Sequence, residues 1–137
     1  MKKSLFGLAI VAFTISACTG DTADFKSTTL GARVYPLEGG IFEVVPPIGS
    51  TASDYWCAAS DYARRQLGAS WQTPIYINRG MAPGEASGRR STVLFTLNPV
   101  VSEVPHSPVR RLGAFHVGDS MTVQAGENQC KIFPRWF

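Results

Sequence analysis

The chain has 137 residues, of which 45% are hydrophobic and 17% are charged, and its formal net charge is +3. This length and composition are typical of one globular domain with its own core. Lys2 and Lys3 are two of its 13 basic residues, so the chain beyond the N-terminal segment is nearly neutral. Near neutrality argues against a nucleic-acid partner, because nucleic-acid binding normally needs a concentrated basic face.

The N-terminal residues follow the order of an export signal. A basic start, Met1-Lys2-Lys3, precedes an apolar run, Leu5–Ile15, that is too short to span a bilayer comfortably. It ends in Ile15-Ser16-Ala17-Cys18, an aliphatic residue, two small residues and a cysteine. On these residues the N-terminus resembles a bacterial lipoprotein precursor with its lipobox. The alternative is an ordinary secretory signal in which Cys18 is a chance small residue.

The resemblance implies a signal peptide over residues 1–17, removed so that Cys18 becomes the new N-terminus. Cys18 would then be lipidated on its sulfur and acylated on its amine, with chains such as palmitate, and several chains hold a protein at a membrane almost irreversibly. Thr19 follows Cys18, where an aspartate commonly retains lipoproteins of this class in the inner membrane. We therefore expect a lipid anchor in the bacterial cell envelope, at the outer membrane and facing the periplasm.

The segment after the lipobox is polar and small, and we expect residues 18–29 to form a flexible tether. A single periplasmic domain would follow over residues 30–137. Its first two predicted strands are Leu30–Leu37 and Ile41–Val45, with Gly39-Gly40 as a tight turn between them.

Thr51–Leu67 is the best helical stretch in the chain. The residues that share a helical face there are mostly apolar, and they are Ala52, Tyr55, Trp56, Ala59, Tyr62, Ala63 and Leu67. Ala58, Asp61, Arg64 and Arg65 lie mostly on the opposite side. Thr51 with Asp54 resembles a capping box, and Gly68 is a C-terminal stop signal. We expect this amphipathic helix to pack on a sheet.

The rest of the chain reads as short strands separated by turns. The predicted strands are Pro74–Asn78, Ser91–Leu97, Val109–Val117, Met121–Gln124 and Gln129–Phe133. Strands and helix do not alternate as in a βαβ unit, which favours an α+β fold. We expect one amphipathic helix on a mostly antiparallel sheet of about five to six short strands.

Two cysteines, Cys57 and Cys130, remain once Cys18 is modified. The exported compartment is oxidising, so this pair predicts a disulfide bond between the helix and the final predicted strand, with Cα atoms within about 7 Å. The alternative is two unpaired buried cysteines. The chain has two histidines and no CxxC spacing, so we expect no metal site.

His106 lies in a proline-rich connection and His116 near the end of a predicted strand. A catalytic histidine needs a nucleophile and an orienting acid nearby, and no GxSxG, HExxH or comparable motif accompanies either residue. We therefore expect no enzyme activity and no cofactor, with a small hydrolase or transferase using His106 or His116 as the alternative.

Arg79, Arg89 and Arg90 bracket a glycine-rich loop between two predicted strands. If those strands pair, the arginines meet at the base of the loop and form a cradle for a small anionic ligand. The alternative is a mobile loop with solvated arginines.

The chain ends in Phe133-Pro134-Arg135-Trp136-Phe137, where Trp136 and Phe137 form a candidate docking patch for a partner. The other interpretation is an aromatic cluster that packs over a sheet edge. The expected function is a binding or envelope-maintenance module at the membrane, whose partner is an envelope protein or an anionic small ligand. An inhibitor or assembly factor that docks through the aromatic tail is a further alternative.

Overall fold

A computed structural model describes residues 25–27, 30–102 and 114–131 of the chain. These residues form an α+β fold of six strands and two α-helices. The strands are β1 (Phe25–Lys26), β2 (Arg33–Pro36), β3 (Ile41–Val45), β4 (Pro74–Ala82), β5 (Thr92–Thr96) and β6 (Ser120–Thr122). The helices are α1 (Ala52–Arg65) and α2 (Val123–Gln129). Within the described ranges, no helix combines the length and apolar character that a bilayer crossing requires.

The six strands form one sheet in the order β1-β2-β3-β5-β4-β6, and every neighbouring pair is antiparallel. The prediction of an antiparallel α+β sheet is confirmed. A short 3-10 turn, Glu38–Gly40, joins β2 to β3, and both of its glycines have a positive φ of 74°. That backbone region is readily open only to glycine, which explains the Gly39-Gly40 pair at the turn. β1 lies within residues 18–29, so part of the expected tether pairs with the sheet.

α1 begins and ends close to the predicted residues. The backbone N–H of Thr51 donates to the Asp54 carboxylate at 2.7 Å, which completes the capping box at the N-terminus of α1. Aromatic rings join α1 to the sheet: Trp56 lies 5.1 Å from Phe95 and Tyr62 lies 4.7 Å from Phe42, centroid to centroid. These contacts place the core between α1 and the sheet.

The expectation of a single helix is wrong, because Val123–Gln129 forms α2. The sequence interpretation placed strands at Met121–Gln124 and Gln129–Phe133 with a turn between them, whereas β6 ends at Thr122. Thr122 instead caps a helix by accepting a hydrogen bond from the Ala125 N–H at 3.2 Å. Gln129 ends that helix and residues 130–131 form a turn, while residues 132–137 lie outside the described part.

α2 packs along α1, and this contact changes which side of α1 is buried. A Cβ at Gly126 would lie only 2.8 Å from the Ser60 Cβ and 3.1 Å from the Trp56 carbonyl oxygen, so the two helices touch at this glycine. Ala58 and Asp61 were expected on the outer side of α1, but both are buried.

The remaining strand predictions hold to different degrees. Ile41–Val45 is β3 as predicted, whereas β4 continues past Asn78 to Ala82 with register shifts against β5. Val109–Val117 was predicted as a strand, but its described part, residues 114–117, contains none. Residues 103–113 lie outside the described ranges.

Candidate functional site

The disulfide bond between Cys57 and Cys130 fixes α2 on α1. The two Cα atoms lie 4.9 Å apart, which confirms the predicted pairing. Cys57 is fully buried in the middle of α1 and Cys130 is the C-cap of α2. The Ser53 hydroxyl donates to the Gln129 side-chain oxygen at 3.1 Å beside the disulfide. The C-terminal end of α2 is therefore held by a covalent bond and a hydrogen bond.

The other end of α2 is tied to the turn that precedes β4. The backbone N–H of Gln124 donates to the Trp71 carbonyl at 2.9 Å, and that of Val123 donates to the Thr73 carbonyl at 2.9 Å. These bonds satisfy two donors of the first helical turn, which have no partner within a helix. Trp71 and α2 are therefore held in a fixed relation by backbone contacts.

A shallow groove of about 340 Å³ runs between this turn and the outer side of α2, and we call it the Trp71 groove. Its lining combines one aromatic ring, three amide side chains and two charged groups. These residues are Trp71, Gln72, Gln124, Glu127, Asn128 and Lys131.

The indole of Trp71 is 47% exposed, so this large ring is available to a ligand. The Arg64 guanidinium lies 5.0 Å from the ring centroid, which is a cation–π contact that helps to hold the indole in place. One end of the Trp71 groove is therefore an exposed aromatic ring that Arg64 helps to hold in place.

Polar groups in the Trp71 groove retain hydrogen-bonding capacity. The Gln72 amide donates to the Gln124 side-chain oxygen at 3.2 Å, which leaves the Gln72 oxygen and the Gln124 amide nitrogen without a partner among the described residues. The Oε2 atom of Glu127 is buried and accepts no hydrogen bond within the described part of the chain. A buried carboxylate oxygen without a donor is unfavourable unless a ligand or water supplies one.

A second polar arrangement lies on the sheet face opposite α1. Phe42 and Val44 of β3 belong to the core under α1, so the alternation of side chains turns Glu43 to the other face. The loop between β4 and β5 folds over Glu43, which is fully buried.

Backbone groups of this loop surround the Glu43 carboxylate. Oε2 accepts from the N–H of Glu85 at 2.7 Å and of Ala86 at 3.0 Å, and Oε1 accepts from the N–H of Ser87 at 3.1 Å and from the Ser87 hydroxyl. Burial raises the pKa of Glu43, but the hydrogen bonds from Ser87, Ala86 and Glu85 together outweigh burial and leave that pKa below its ordinary value. The carboxylate is therefore ionised at neutral pH and anchors the loop.

The predicted arginine cradle lies around this same loop. The Arg79 guanidinium donates to the Thr92 hydroxyl at 2.8 Å and pairs with Glu85 at 3.5 Å. Arg89 and Arg90 are exposed, and neither side chain forms an ion pair among the described residues. The backbone donors of the loop are taken by Glu43, an anion of the chain itself. An external anion at Arg79, Arg89 and Arg90 stays a prediction.

The other predicted sites fall at or beyond the limits of the described residues. His116 is exposed, and its carbonyl accepts from the Asp119 N–H at 3.0 Å in a turn before β6. The described ranges contain no group of three or more side chains that could hold a metal ion. Cys18, His106, Trp136 and Phe137 all lie outside the described part of the chain.

Sequence reasoning missed both Glu43 and the Trp71 groove. Glu43 had a usable signal, since it is a lone acidic residue between apolar neighbours in a strand that precedes a glycine-rich loop. No comparable sequence signal pointed to the Trp71 groove, because its lining depends on α2, which was not predicted.

Comparison with protein-family models, with curated proteins and with solved structures found no match to this chain.

Proposed function

We propose that this chain is a lipid-anchored lipoprotein of the bacterial cell envelope whose domain acts as a binding module. The lipobox residues Ile15-Ser16-Ala17-Cys18 support the anchor, and Thr19 in place of an aspartate supports the outer membrane. The Cys57–Cys130 disulfide supports an oxidising compartment such as the periplasm, because such bonds rarely persist in the cytoplasm.

The Trp71 groove is the observation that carries the binding role. It joins an exposed indole with the Gln72 oxygen and the Gln124 amide nitrogen, which have no partner among the described residues, and with the buried Glu127 Oε2, which accepts no hydrogen bond there. A concave surface in which an aromatic ring meets a few polar groups is the usual form of a ligand site. Both ends of α2 are fixed, so little order has to be gained when a ligand binds.

The anchor is tested by the intact mass of protein extracted from membranes. We expect a chain that begins at Cys18 and carries added acyl mass. Cys18→Ser should release the protein from the membrane or leave an unprocessed precursor. A soluble mature form that starts at another residue would refute the anchor.

The binding role is tested by site-specific photo-crosslinking in living cells. A photoreactive residue at Asn128, inside the Trp71 groove, should give a discrete adduct. The control carries the same photoreactive amino acid in place of Glu38, which is exposed in the turn between β2 and β3, and it should give no adduct. Equal labelling at the two positions, or no adduct at Asn128, would contradict a binding role for the groove.

A further inference from the structure

We propose that the Trp71 groove binds a neutral glycan, an inference that rests on the binding role proposed above. The first reason is the indole itself. The π-face of an indole carries partial negative charge and is flat and apolar, so it attracts the C–H groups on one face of a sugar ring. Trp71 exposes 47% of its surface and is held by Arg64 and by its own backbone carbonyl.

The second reason is the set of polar groups beside the ring. A sugar hydroxyl both donates and accepts, so it pairs well with amides, which offer both functions, and with a carboxylate, which accepts. Gln72, Gln124 and Asn128 supply the amides and Glu127 supplies the carboxylate. The buried Oε2 of Glu127 would accept from a hydroxyl the hydrogen bond that it lacks among the described residues.

Other ligand classes fit this lining less well. An anionic ligand would be repelled by the Glu127 carboxylate, and this repulsion opposes the attraction of Lys131 in the same lining. A wholly apolar ligand would cover the amides of Gln72 and Gln124 without giving them partners, which is unfavourable. An extended peptide binds best at a strand edge with open backbone groups, whereas the side of this groove formed by α2 offers helix side chains.

The volume of the Trp71 groove limits how much of a glycan it can hold. About 340 Å³ is near the lower end of the roughly 300–1,000 Å³ typical of ligand sites, so the groove accommodates a short stretch of a glycan. Binding to one molecule of the protein should then be weak. Many copies anchored on one membrane would still hold a long glycan strand, because linked weak sites reinforce one another.

The test is isothermal titration calorimetry with the full-length lipidated protein in detergent. The probes are cellotetraose, chitotetraose, maltotetraose and soluble glycan fragments from the cell envelope of the bacterium that makes the protein. We expect at least one probe to bind, with an affinity that Trp71→Ala lowers by about tenfold or more. Glu127→Gln, which keeps shape but removes the charge, should weaken binding severalfold.

Met81→Ala is the matched control, because Met81 lies on β4, outside the groove, and its side chain is 48% exposed. It should leave the affinity unchanged, and circular dichroism should show that all variants stay folded. If no probe binds in a Trp71-dependent way, the glycan inference is overturned. A protein adduct from Asn128 in that case would leave the binding role standing, whereas the absence of an adduct would overturn the binding role as well.

Discussion

The structure predicts that Glu43 holds the loop between β4 and β5 on the sheet, and Glu43→Gln is the sharpest test of this role. The substitution keeps the size of the side chain and replaces one carboxylate oxygen with an amide nitrogen. Whichever way the amide turns, its nitrogen faces two of the four donors that now bind the carboxylate. At the Oε2 position the nitrogen faces two N–H groups, so two hydrogen bonds are lost; at the Oε1 position the Ser87 hydroxyl can accept from it, so one is lost. In both cases the charge that strengthens the remaining hydrogen bonds is removed.

The size of the effect follows from these contacts. A hydrogen bond to a charged group contributes about 1.5–3 kcal/mol to stability, so the loss of one or two gives a first figure of about 1.5–6 kcal/mol. The loop is at the surface, so its N–H groups can form hydrogen bonds with water instead and recover part of the lost free energy. The amide takes the orientation that loses fewer hydrogen bonds, so we expect the free energy of unfolding to fall by about 2 kcal/mol, equivalent to a drop of about 7 °C in Tm for a domain of this size.

The assay is urea denaturation followed by circular dichroism, with Glu85→Gln as the matched control. Glu85 undergoes the same chemical change in the same loop, but its side chain is 62% exposed and, within the described part of the chain, forms only a surface ion pair with Arg79. Such pairs contribute about 0–1 kcal/mol, so the control should change stability little. If Glu43→Gln lowers stability no more than Glu85→Gln does, the carboxylate does not anchor the loop.

The same anchor predicts acid sensitivity. The pKa of Glu43 is lower in the folded state than its ordinary value, so the stability that it contributes is present above the ordinary glutamate pKa, about 4.3. That stability is lost as the pH falls through the lowered pKa, where the folded carboxylate takes up a proton. Between pH 7 and pH 3 the difference in stability between the wild type and Glu43→Gln should therefore shrink. A difference that stays constant over this range would refute the assignment.

Four further variants test other parts of the chain. Replacing Cys57 and Cys130 together with alanine should lower stability by about 4 kcal/mol, because the bond closes a loop of 73 residues; reductant should lower the Tm of the parent protein but not of this variant. Gly126→Ala should reduce stability by about 1–2 kcal/mol in chemical denaturation, since its new methyl group crowds α1 and the gain in helix propensity offsets only part of the strain. His106→Ala and His116→Ala should each leave photo-crosslinking from the groove intact, and loss of the adduct in a folded variant would point to a site at that histidine.

Local signals in the sequence were enough to place most of the sheet and α1. Three of these signals depend only on residues that are close in the chain, and each is present in the structure. They are the capping pair Thr51 and Asp54, the Gly39-Gly40 turn and the apolar strand Ile41–Val45. α2 was missed because Gly126 and Asn128 are normally turn residues. Gly126 is in a helix because only a residue without a side chain lets α2 approach α1 this closely, and that contact is not local.

The candidate site was less predictable for the same reason. The disulfide could be inferred from the number of cysteines and the export signal. The Trp71 groove could not, since it unites a turn before β4 with a helix about fifty residues later in the chain. The loop between β4 and β5 was noticed for its arginines, yet its backbone donors bind Glu43, which belongs to a distant strand.

The strand order also has a consequence for the folding pathway. β2 with β3 and β4 with β5 are hairpins between strands consecutive in the chain, so each pair can form early. β3 and β5 are neighbours in the sheet although α1 and β4 lie between them in the chain, so their pairing must wait for a long loop to close. That step brings Phe42 and Phe95 to 6.1 Å, and α1 packs on both strands through Tyr62 and Trp56. The meeting of the two hairpins is therefore the expected rate-limiting event in folding, and α1 is placed to stabilise it.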